Sequence, residues 1–220
     1  MTPGSFINQL GLEKATAILR TNDQKKAVQA MEAAVRGGFK IIEFTLSIPG
    51  AFELVQEFSR REGLIVGTGT VMDAAQARQS VKAGARFLVS PVVDETVITT
   101  ASELDVASMP GTHTPTEMLR AHRAGAQLCK LFPCPHGGPD WVRSVLGPMP
   151  FLKIVPTNGV DQYNAGAWID AGAFAVGFVA PLFAPADIAA GRWDAIEERA
   201  RQCLAAVGSV SSGAQTGKAC

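Results

Sequence analysis

The chain has 220 residues, of which 47% are hydrophobic and 18% charged, and it carries no formal net charge at pH 7. This composition is typical of a globular protein that can build a full hydrophobic core, and the balance of acids and bases argues against binding to nucleic acid or to an anionic membrane surface. No apolar run is long enough to span a bilayer, and residues 1–5 lack the features of a secretion signal.

The chain begins with a leader and continues with eight apolar stretches. The leader, residues 1–14, predicts a short extra helix over the bottom of the domain. The apolar stretches predict eight short strands, each followed by a helical pattern. They lie at residues 17–20, 39–44, 64–67, 86–90, 106–109, 126–133, 152–156 and 173–177.

The boundaries of several helices can be predicted from capping residues. Polar residues at 22–23, 73, 114 and 161 predict helices that run to residues 35, 82, 122 and 169, and residues 193–207 predict the last helix. Four glycines recur every 41 to 47 residues and are interpreted as helix C-caps before a strand, namely Gly38, Gly84, Gly125 and Gly172.

Apolar strands that alternate with helices predict an α/β fold in which parallel strands are covered by helices. Eight such units in about 200 residues match a single (β/α)8 TIM barrel, which we assign to residues 1–208. An open, doubly wound sheet is the alternative, although the first strand is not followed by a GxGxxG turn. Residues 209–220 are rich in Ser, Gly and Ala and are predicted to form a flexible tail.

Two ionisable side chains stand inside apolar predicted strands, Lys130 in residues 126–133 and Glu43 in the second strand. Alternation places Leu128, Lys130 and Phe132 on one face. Burial disfavours the ammonium form of a lysine, and a neutral lysine can condense with a ketone to a Schiff base. Strands two and six face each other across a barrel, so Glu43 is a candidate proton shuttle. A structural ion pair, or a lysine that reaches solvent, is the alternative.

Other strand ends carry further candidates, because the active sites of such barrels lie where the strands end. Thr45 and Thr70 are candidates to hydrogen-bond a substrate carboxylate or hydroxyl. The remaining strand ends are Arg20, Gly67-Thr68-Gly69, Ser90-Pro91, Pro110-Gly111-Thr112, Pro156-Thr157-Asn158-Gly159 and Gly177. We interpret Gly67-Thr68-Gly69 as a tight turn, because it is too short for a dinucleotide-binding motif.

Histidines and cysteines contribute little to the predicted site. His113 follows a strand end and is a candidate substrate contact, although a lone loop histidine is more often solvated. His122 and His136 have no partners at ligand spacing, so we predict no metal and no cofactor. The four cysteines show no CxxC spacing, which predicts reduced thiols and a cytoplasmic location. Cys129 and Cys134, on either side of Lys130, are interpreted as packing residues.

Seven short motifs occur in barrel order along the chain. They are Ala17-Ile18-Leu19-Arg20, Ile42-Glu43-Phe44-Thr45-Leu46, Gly67-Thr68-Gly69-Thr70-Val71, Val89-Ser90-Pro91, Met109-Pro110-Gly111, Lys130-Leu131-Phe132-Pro133 and Val155-Pro156-Thr157-Asn158-Gly159. Together they resemble the 2-keto-3-deoxy-6-phosphogluconate (KDPG) aldolase family, which includes the 4-hydroxy-2-oxoglutarate (KHG) aldolases. The resemblance extends over residues 15–206. It implies a class I, metal-independent aldolase that forms a homotrimer and acts on a small 2-keto acid, with pyruvate as one product.

The resemblance also implies roles for individual residues. Lys130 matches the Schiff-base lysine of the family, and Glu43 matches its general acid and base. Four residues match positions that line the pyruvate site, namely Arg20, Thr70, Pro91 and Phe132. Four others stand where the family binds the substrate's phosphate, namely Thr157, Asn158, Gly159 and Gly177.

The sequence departs from the family pattern mainly around the phosphate. The usual Pro-Thr-Gly-Gly has Asn158 in place of its first glycine. The usual Gly-X-Gly-Ser turn after strand eight is Gly177-Phe178-Val179-Ala180, followed by Pro181, which has no N–H to offer a phosphate. An arginine that many members carry after the glutamate strand is absent, and Ser47-Ile48-Pro49 stands there.

Three hypotheses about function follow. The first is an aldolase that cleaves a 2-keto-3-deoxy-6-phospho sugar acid to pyruvate and glyceraldehyde 3-phosphate. The second is an aldolase for an unphosphorylated 4-hydroxy-2-oxo acid such as 4-hydroxy-2-oxoglutarate, which Val179 and Ala180 favour. The third is a barrel that binds a small acid without catalysis, and the presence of both Lys130 and Glu43 argues against it.

Overall fold

The structure is a computed structural model that describes residues 1–208. The predicted tail, residues 209–220, lies outside the described residues. Eight strands form one sheet: β1 (Ala15–Leu19), β2 (Ile41–Thr45), β3 (Ile65–Gly69), β4 (Phe87–Ser90), β5 (Ala107–Thr112), β6 (Cys129–Leu131), β7 (Ile154–Pro156) and β8 (Val176–Phe178).

Ten helices accompany the strands within residues 1–208. They are α1 (Pro3–Glu13), α2 (Gln24–Arg36), α3 (Ala51–Phe58), α4 (Ala74–Ala83), α5 (Glu95–Glu103), α6 (Pro115–Arg123), α7 (Pro139–Leu146), α8 (Ala165–Asp170), α9 (Pro185–Ala190) and α10 (Trp193–Gly208). Across this range no helix combines the length and the apolar character that crossing a membrane requires.

The strands close into a barrel. Their order is β7-β6-β5-β4-β3-β2-β1-β8, and each neighbouring pair is parallel. A parallel bridge between Thr157 and Gly177 joins the end of β7 to β8 and connects the two edges. The predicted (β/α)8 barrel is therefore confirmed, and the doubly wound alternative is wrong because an open sheet would leave β7 and β8 unpaired at its edges.

Local capping chemistry explains five of the ten helix starts, those of α1, α2, α4, α5 and α6. Asp23 and Asp73 accept the backbone N–H of Lys26 and Gln76, and Thr114 forms a reciprocal capping box with Glu117. The helix predicted to follow Asp161 begins later, at Ala165. There the carboxylate of Asp161 accepts the N–H groups of Tyr163 and Asn164, which forms a turn rather than the first turn of a helix.

The four repeated glycines share one backbone conformation. Their φ angles lie between 99° and 113°, a left-handed region that side chains with a Cβ rarely adopt. Gly84 is the C-cap of α4, as predicted, whereas Gly38, Gly125 and Gly172 each follow the C-cap of their helix by one residue and lead the chain toward the next strand.

The barrel interior is apolar at its lower end and polar at its upper end. Helix α1 covers the bottom, where the ring of Phe6 stacks on Phe87 with their centroids 4.5 Å apart. The predicted N-terminal helix is thereby confirmed. Ile41 and Leu128 are buried in this interior cluster, and Glu43 and Lys130 stand two residues further along the same strands. Both polar side chains therefore lie at the carboxyl end of the barrel.

Candidate active site

Lys130 lies in the middle of β6, between Gly111 of β5 and Val155 of β7. Its side chain is buried, and its Nζ atom stands 5.2 Å from the centroid of the Phe132 ring. Burial lowers the pKa of Lys130, the charge of Arg20 lowers it further, and the charge of Glu43 opposes the shift. The alternative of a lysine that reaches solvent at an edge is therefore wrong, because β6 has neighbours on both sides.

Glu43 is fully buried in β2, where it is paired in register with Ile18 and Gly67. Among residues 1–208 neither oxygen of its carboxyl group has a hydrogen-bond partner, so the side chain does not bond Lys130. Burial raises the pKa of Glu43, and the positive charges of Lys130 and Arg20 oppose the rise. A buried carboxyl group without partners is destabilising, and such groups concentrate at functional sites.

Two glycines of β3 make room for large side chains inside the barrel. A Cβ on Gly69 would stand 1.8 Å from Oε1 of Glu43, and a Cβ on Gly67 would stand 2.3 Å from the Phe87 ring. The interpretation of Gly67-Thr68-Gly69 as a tight turn is therefore wrong, since all three residues belong to the buried strand β3. The sequence contained a signal for this role, because Gly67 and Gly69 lie two residues apart in the strand that follows the Glu43 strand, and glycines inside a strand often mark a close approach of other groups.

We expect Gly69→Ala to lower kcat/KM for the reaction at this site by about 10²-fold, because the new methyl group displaces the Glu43 carboxyl group from its position. The measurement is steady-state kinetics together with thermal unfolding. Gly4→Ala is the matched control, since a Cβ on Gly4 meets nothing within 4 Å. A folded Gly69→Ala protein with unchanged kinetics would contradict this role of Gly69.

Arg20, Thr70 and Thr45 lie together where β1, β2 and β3 end. The Nη2 group of Arg20 donates a hydrogen bond to Oγ1 of Thr70 at 3.0 Å, and Thr70 has a left-handed φ of 61°. The buried Thr45 hydroxyl donates to the carbonyl of Leu19 at 3.1 Å and lies 2.9 Å from Oγ of Ser47. Because a hydroxyl has a single proton, Thr45 joins β2 to β1 and can only accept from a substrate.

The segment that carries Lys130 and Phe132 is held by the end of β5. Oγ1 of the buried Thr112 donates to the Lys130 carbonyl at 3.0 Å, and the Phe132 N–H donates to the Thr112 carbonyl at 3.0 Å. Thr112 was not among the predicted site residues. The sequence indicated only that Thr112 stands at the end of a strand. Its two hydrogen bonds could not be predicted, because they depend on the pairing of β5 with β6.

His113 is exposed, and its side chain contacts the segment that follows Lys130. Its Nδ1 atom lies 2.9 Å from the Pro133 carbonyl, and its backbone N–H donates to Glu117. Because a carbonyl oxygen only accepts, Nδ1 carries a proton in this contact. On the other side of β5, a Cβ on Gly111 would stand 2.1 Å from the Pro91 carbonyl oxygen, so Pro91 also lies against this strand.

The residues predicted for the phosphate lie where β7 meets β8. Thr157 is buried, and its N–H donates to the Leu131 carbonyl at 2.9 Å. Asn158 and Gly159 follow with left-handed φ angles of 70° and 92°, and both are exposed. Gly177 is buried against Thr157, whose Oγ1 would stand 2.7 Å from a Cβ there. Asn158 therefore occupies a conformation that asparagine tolerates better than most residues do.

The two free thiols near the site are poor nucleophiles, because their pKa values are raised. Burial raises the pKa of Cys129 to about 12 and that of Cys134 to about 11. Both cysteines pack in or against the hydrophobic core, in agreement with their interpretation as packing residues. Within residues 1–208 there is no group of three or more His, Cys, Asp or Glu side chains that could hold a metal ion.

A buried amine and a buried carboxyl group at the carboxyl end of a (β/α)8 barrel are the arrangement of a barrel enzyme. The family model described as "KDPG and KHG aldolase" matches residues 6–199. This chain therefore belongs to the KDPG and KHG aldolase family, whose members are lyases. The prediction of an enzyme is confirmed, and the hypothesis of a barrel without catalysis is set aside.

Individual relatives agree with this assignment. The "Probable 2-dehydro-3-deoxy-6-phosphogalactonate aldolase" of Rhizobium meliloti (strain 1021) is 33% identical over 202 residues, which cover 90% of this chain and 93% of that protein. The "2-dehydro-3-deoxy-phosphogluconate aldolase" of Pseudoalteromonas atlantica is 27% identical over 209 residues, which cover 88% and 91%. A solved structure described as "Native KDPGal structure" superimposes with a TM-score of 0.79 at 26% identity, covering 89% of this chain and 95% of that one.

Proposed function

We propose that this chain is a class I aldolase that cleaves a 2-keto-3-deoxy-6-phospho sugar acid to pyruvate and glyceraldehyde 3-phosphate. The observation that carries the proposal is the buried Lys130 amine, held in the same barrel mouth as a buried Glu43 carboxyl group that has no hydrogen-bond partner among residues 1–208. The names of the two relatives describe aldolases for phosphorylated 3-deoxy sugar acids, which supports a phosphorylated substrate.

In the first half of the proposed reaction the substrate becomes bound to the enzyme. The lone pair of Lys130 Nζ attacks the C2 ketone and forms a carbinolamine. Glu43 takes the proton that the nitrogen loses and returns one to the departing hydroxyl, so water leaves and a protonated imine forms. Burial favours this step because it keeps a larger fraction of Lys130 in the neutral, nucleophilic form.

In the second half the carbon–carbon bond breaks. A base, which we propose to be Glu43, removes the proton of the C4 hydroxyl. The electron pair of the C3–C4 bond then moves into the imine, and the aldehyde leaves. Protonation of the resulting enamine at C3 gives the imine of pyruvate. Addition of water to this imine releases pyruvate and restores the amine of Lys130.

The second candidate function is cleavage of an unphosphorylated 4-hydroxy-2-oxo acid such as 4-hydroxy-2-oxoglutarate. It is favoured by Val179, Ala180 and Pro181 after β8, which offer neither a hydroxyl nor, at Pro181, an N–H to a phosphate. Both candidates use the same Schiff-base chemistry and differ only in the group that follows C4.

We also propose a homotrimer in the cytoplasm. The trimer rests on the family resemblance. The location rests on the cysteines, since Cys129, Cys134 and Cys203 are free thiols in the structure.

The proposal predicts that borohydride traps a covalent adduct of pyruvate on the wild-type protein, and that peptide mass analysis maps it to Lys130. Trapping should persist near pH 7, where a lysine with the ordinary pKa of 10.5 is almost wholly protonated, because burial lowers the pKa of Lys130. The measurement is intact mass as a function of pH. A folded protein that gives no adduct at any pH would overturn the Schiff-base mechanism.

A further inference from the structure

Strand β6, which carries Lys130, is short. It has three residues, whereas its neighbour β5 has six. The two strands pair at Gly111 with Lys130 and at Thr112 with Leu131, which is the last residue of β6. The position of the residues that follow Leu131 therefore depends on contacts other than the pairing of the two strands. We call residues 130–133 the Lys130 segment.

The side chain of Thr112 extends the attachment of β5 to the Lys130 segment. Its buried Oγ1 atom donates to the Lys130 carbonyl at 3.0 Å, and its backbone carbonyl accepts the Phe132 N–H at 3.0 Å. Alternation along β5 places Met109 in the barrel interior and the Thr112 side chain on the opposite face, toward the helices. Because its single proton is already donated on that face, Thr112 acts on Lys130 through the backbone and not through the substrate.

His113 holds the other end of the Lys130 segment. Its Nδ1 atom donates to the Pro133 carbonyl at 2.9 Å. Its backbone N–H donates to the Glu117 carboxylate at 2.8 Å, as does the N–H of Thr114 at the start of α6. The hydrogen bond from the His113 N–H is the main reason why the pKa of Glu117 is lowered, and this keeps the carboxylate charged. The imidazole is thus anchored to α6 and reaches across to Pro133.

Neighbouring strands hold this arrangement from both sides. On the side of β7, the Thr157 N–H donates to the Leu131 carbonyl at 2.9 Å. On the side of β4, a Cβ on Gly111 would stand 2.1 Å from the Pro91 carbonyl oxygen, so the residue after β4 packs closely against the end of β5. The end of β5 is therefore a fixed support for the Lys130 segment.

The contacts made by Thr112 and His113 extend over both side chains that the proposed reaction needs in register. The Lys130 amine must reach the C2 ketone, and the Phe132 ring, with its centroid 5.2 Å from Nζ, forms one side of the space around that amine. A misplacement of a reacting group by about 1 Å can lower a rate by about 10²-fold. Small movements of the Lys130 segment are therefore expected to affect the chemical step.

We infer that Thr112 and His113 are positioning residues, which hold the backbone on either side of Phe132 and thereby aim the Lys130 amine at the C2 atom of the substrate. This inference rests on the proposed function. Both residues act through the backbone of the Lys130 segment, so their loss should slow the formation of the imine and leave the binding of the keto acid nearly unchanged.

The test follows the borohydride-trapped adduct of pyruvate at successive times after mixing. We expect Thr112→Val to lower the maximal rate of adduct formation about tenfold, because one hydrogen bond to the Lys130 segment is lost. The pyruvate concentration that gives half of this rate should change by less than about twofold. Thr112→Ser keeps the hydroxyl and should restore most of the rate. Thr68→Val is the matched control, since Thr68 is a buried strand threonine whose hydroxyl has no partner within residues 1–208.

His113→Leu tests the same inference at an exposed side chain, whose replacement does not disturb the core. It should lower the maximal rate of adduct formation about three- to tenfold, because the hydrogen bond to the Pro133 carbonyl is lost. His113→Asn should recover most of this loss, because its amide group can donate to the same carbonyl.

The outcomes separate this inference from the proposed function. Wild-type rates of adduct formation in Thr112→Val and His113→Leu would overturn it, even with a lower melting temperature, because the contacts would then serve stability alone. Losses of rate that Thr112→Ser and His113→Asn do not restore would overturn it as well. Failure of the proposed function is read independently, as the absence of a pyruvate adduct on the wild-type protein.

Discussion

Lys130→Met should abolish borohydride trapping of pyruvate and lower aldol cleavage by about 10⁴-fold or more, because no other group supplies the amine that forms the imine. Methionine is unbranched, apolar and similar in length to the lysine stem, so it fits the buried position without a cavity. The fold should therefore survive, and the loss should fall on the chemical step. The measurement combines intact mass after trapping with steady-state release of pyruvate.

Lys153→Met is the matched control for this experiment. Lys153 directly precedes β7, at the opposite end of the barrel, where its Nζ atom stands 5.9 Å from the centroid of the Phe174 ring. The variant should form the adduct at the wild-type rate. An adduct that persists in Lys130→Met, or that maps to another lysine, would show that the nucleophile has been assigned to the wrong residue.

Glu43→Gln should lower kcat by about 10² to 10⁴-fold, the usual contribution of a positioned general acid and base. The same substitution should raise the free energy of unfolding by about 1–3 kcal/mol at pH values above the raised pKa of Glu43, because it removes an ionisable group whose charged form burial disfavours and whose oxygens have no partner within residues 1–208. Loss of activity together with a gain in stability distinguishes a catalytic carboxyl group from a structural ion pair.

The pH dependence of stability gives a second measurement of Glu43. Burial raises its pKa in the folded state above the ordinary 4.5, so the folded protein holds this proton longer than the unfolded chain does. The free energy of unfolding contributed by Glu43 should therefore fall as the pH rises from about 4.5 to the raised pKa. Denaturant unfolding across this window should show that fall in the wild type and not in Glu43→Gln.

Glu62→Gln serves as the control, because Glu62 is exposed in the loop between α3 and β3. It should change neither the activity nor the pH dependence. A Glu43→Gln protein that is less stable than the wild type at neutral pH would instead indicate that the carboxylate stabilises the fold through Lys130, as the structural ion pair would require.

Much of the architecture could be predicted because it is encoded locally. Glycines that need a left-handed φ recur at Gly38, Gly84, Gly125 and Gly172, and they divide the chain into repeating units. The alternation of side chains along a strand is also a local property, so Lys130 could be placed on the same face as Leu128 and Phe132 from its neighbours alone. Helix α8 was predicted to begin too early, since a single aspartate can cap a helix or form a turn.

The roles of Gly69 and Thr112 could not be predicted, because they depend on which residues of neighbouring strands stand side by side. Gly69 is needed since it is the register partner of Thr45, two residues beyond the partner of Glu43, and the Glu43 carboxyl group extends along the strand to lie against it. Thr112 contributes since β5 pairs with β6 at Lys130. Register is set by the closure of the whole barrel, and a short sequence motif carries little information about it.

The sequence alone was sufficient to predict eight alternating strand and helix units and to place a lysine and a glutamate inside two apolar strands, because the period of a strand and the conformation of a glycine are properties of adjacent residues. The folded molecule was needed for the environment of these groups, such as the Glu43 carboxyl group, which has no hydrogen-bond partner within residues 1–208, and for the contact between α2 and α9. These features join residues more than 150 positions apart, such as Lys26 and Ala189. Their contacts form only when the packing of the helices around the closed sheet brings both ends of the chain together.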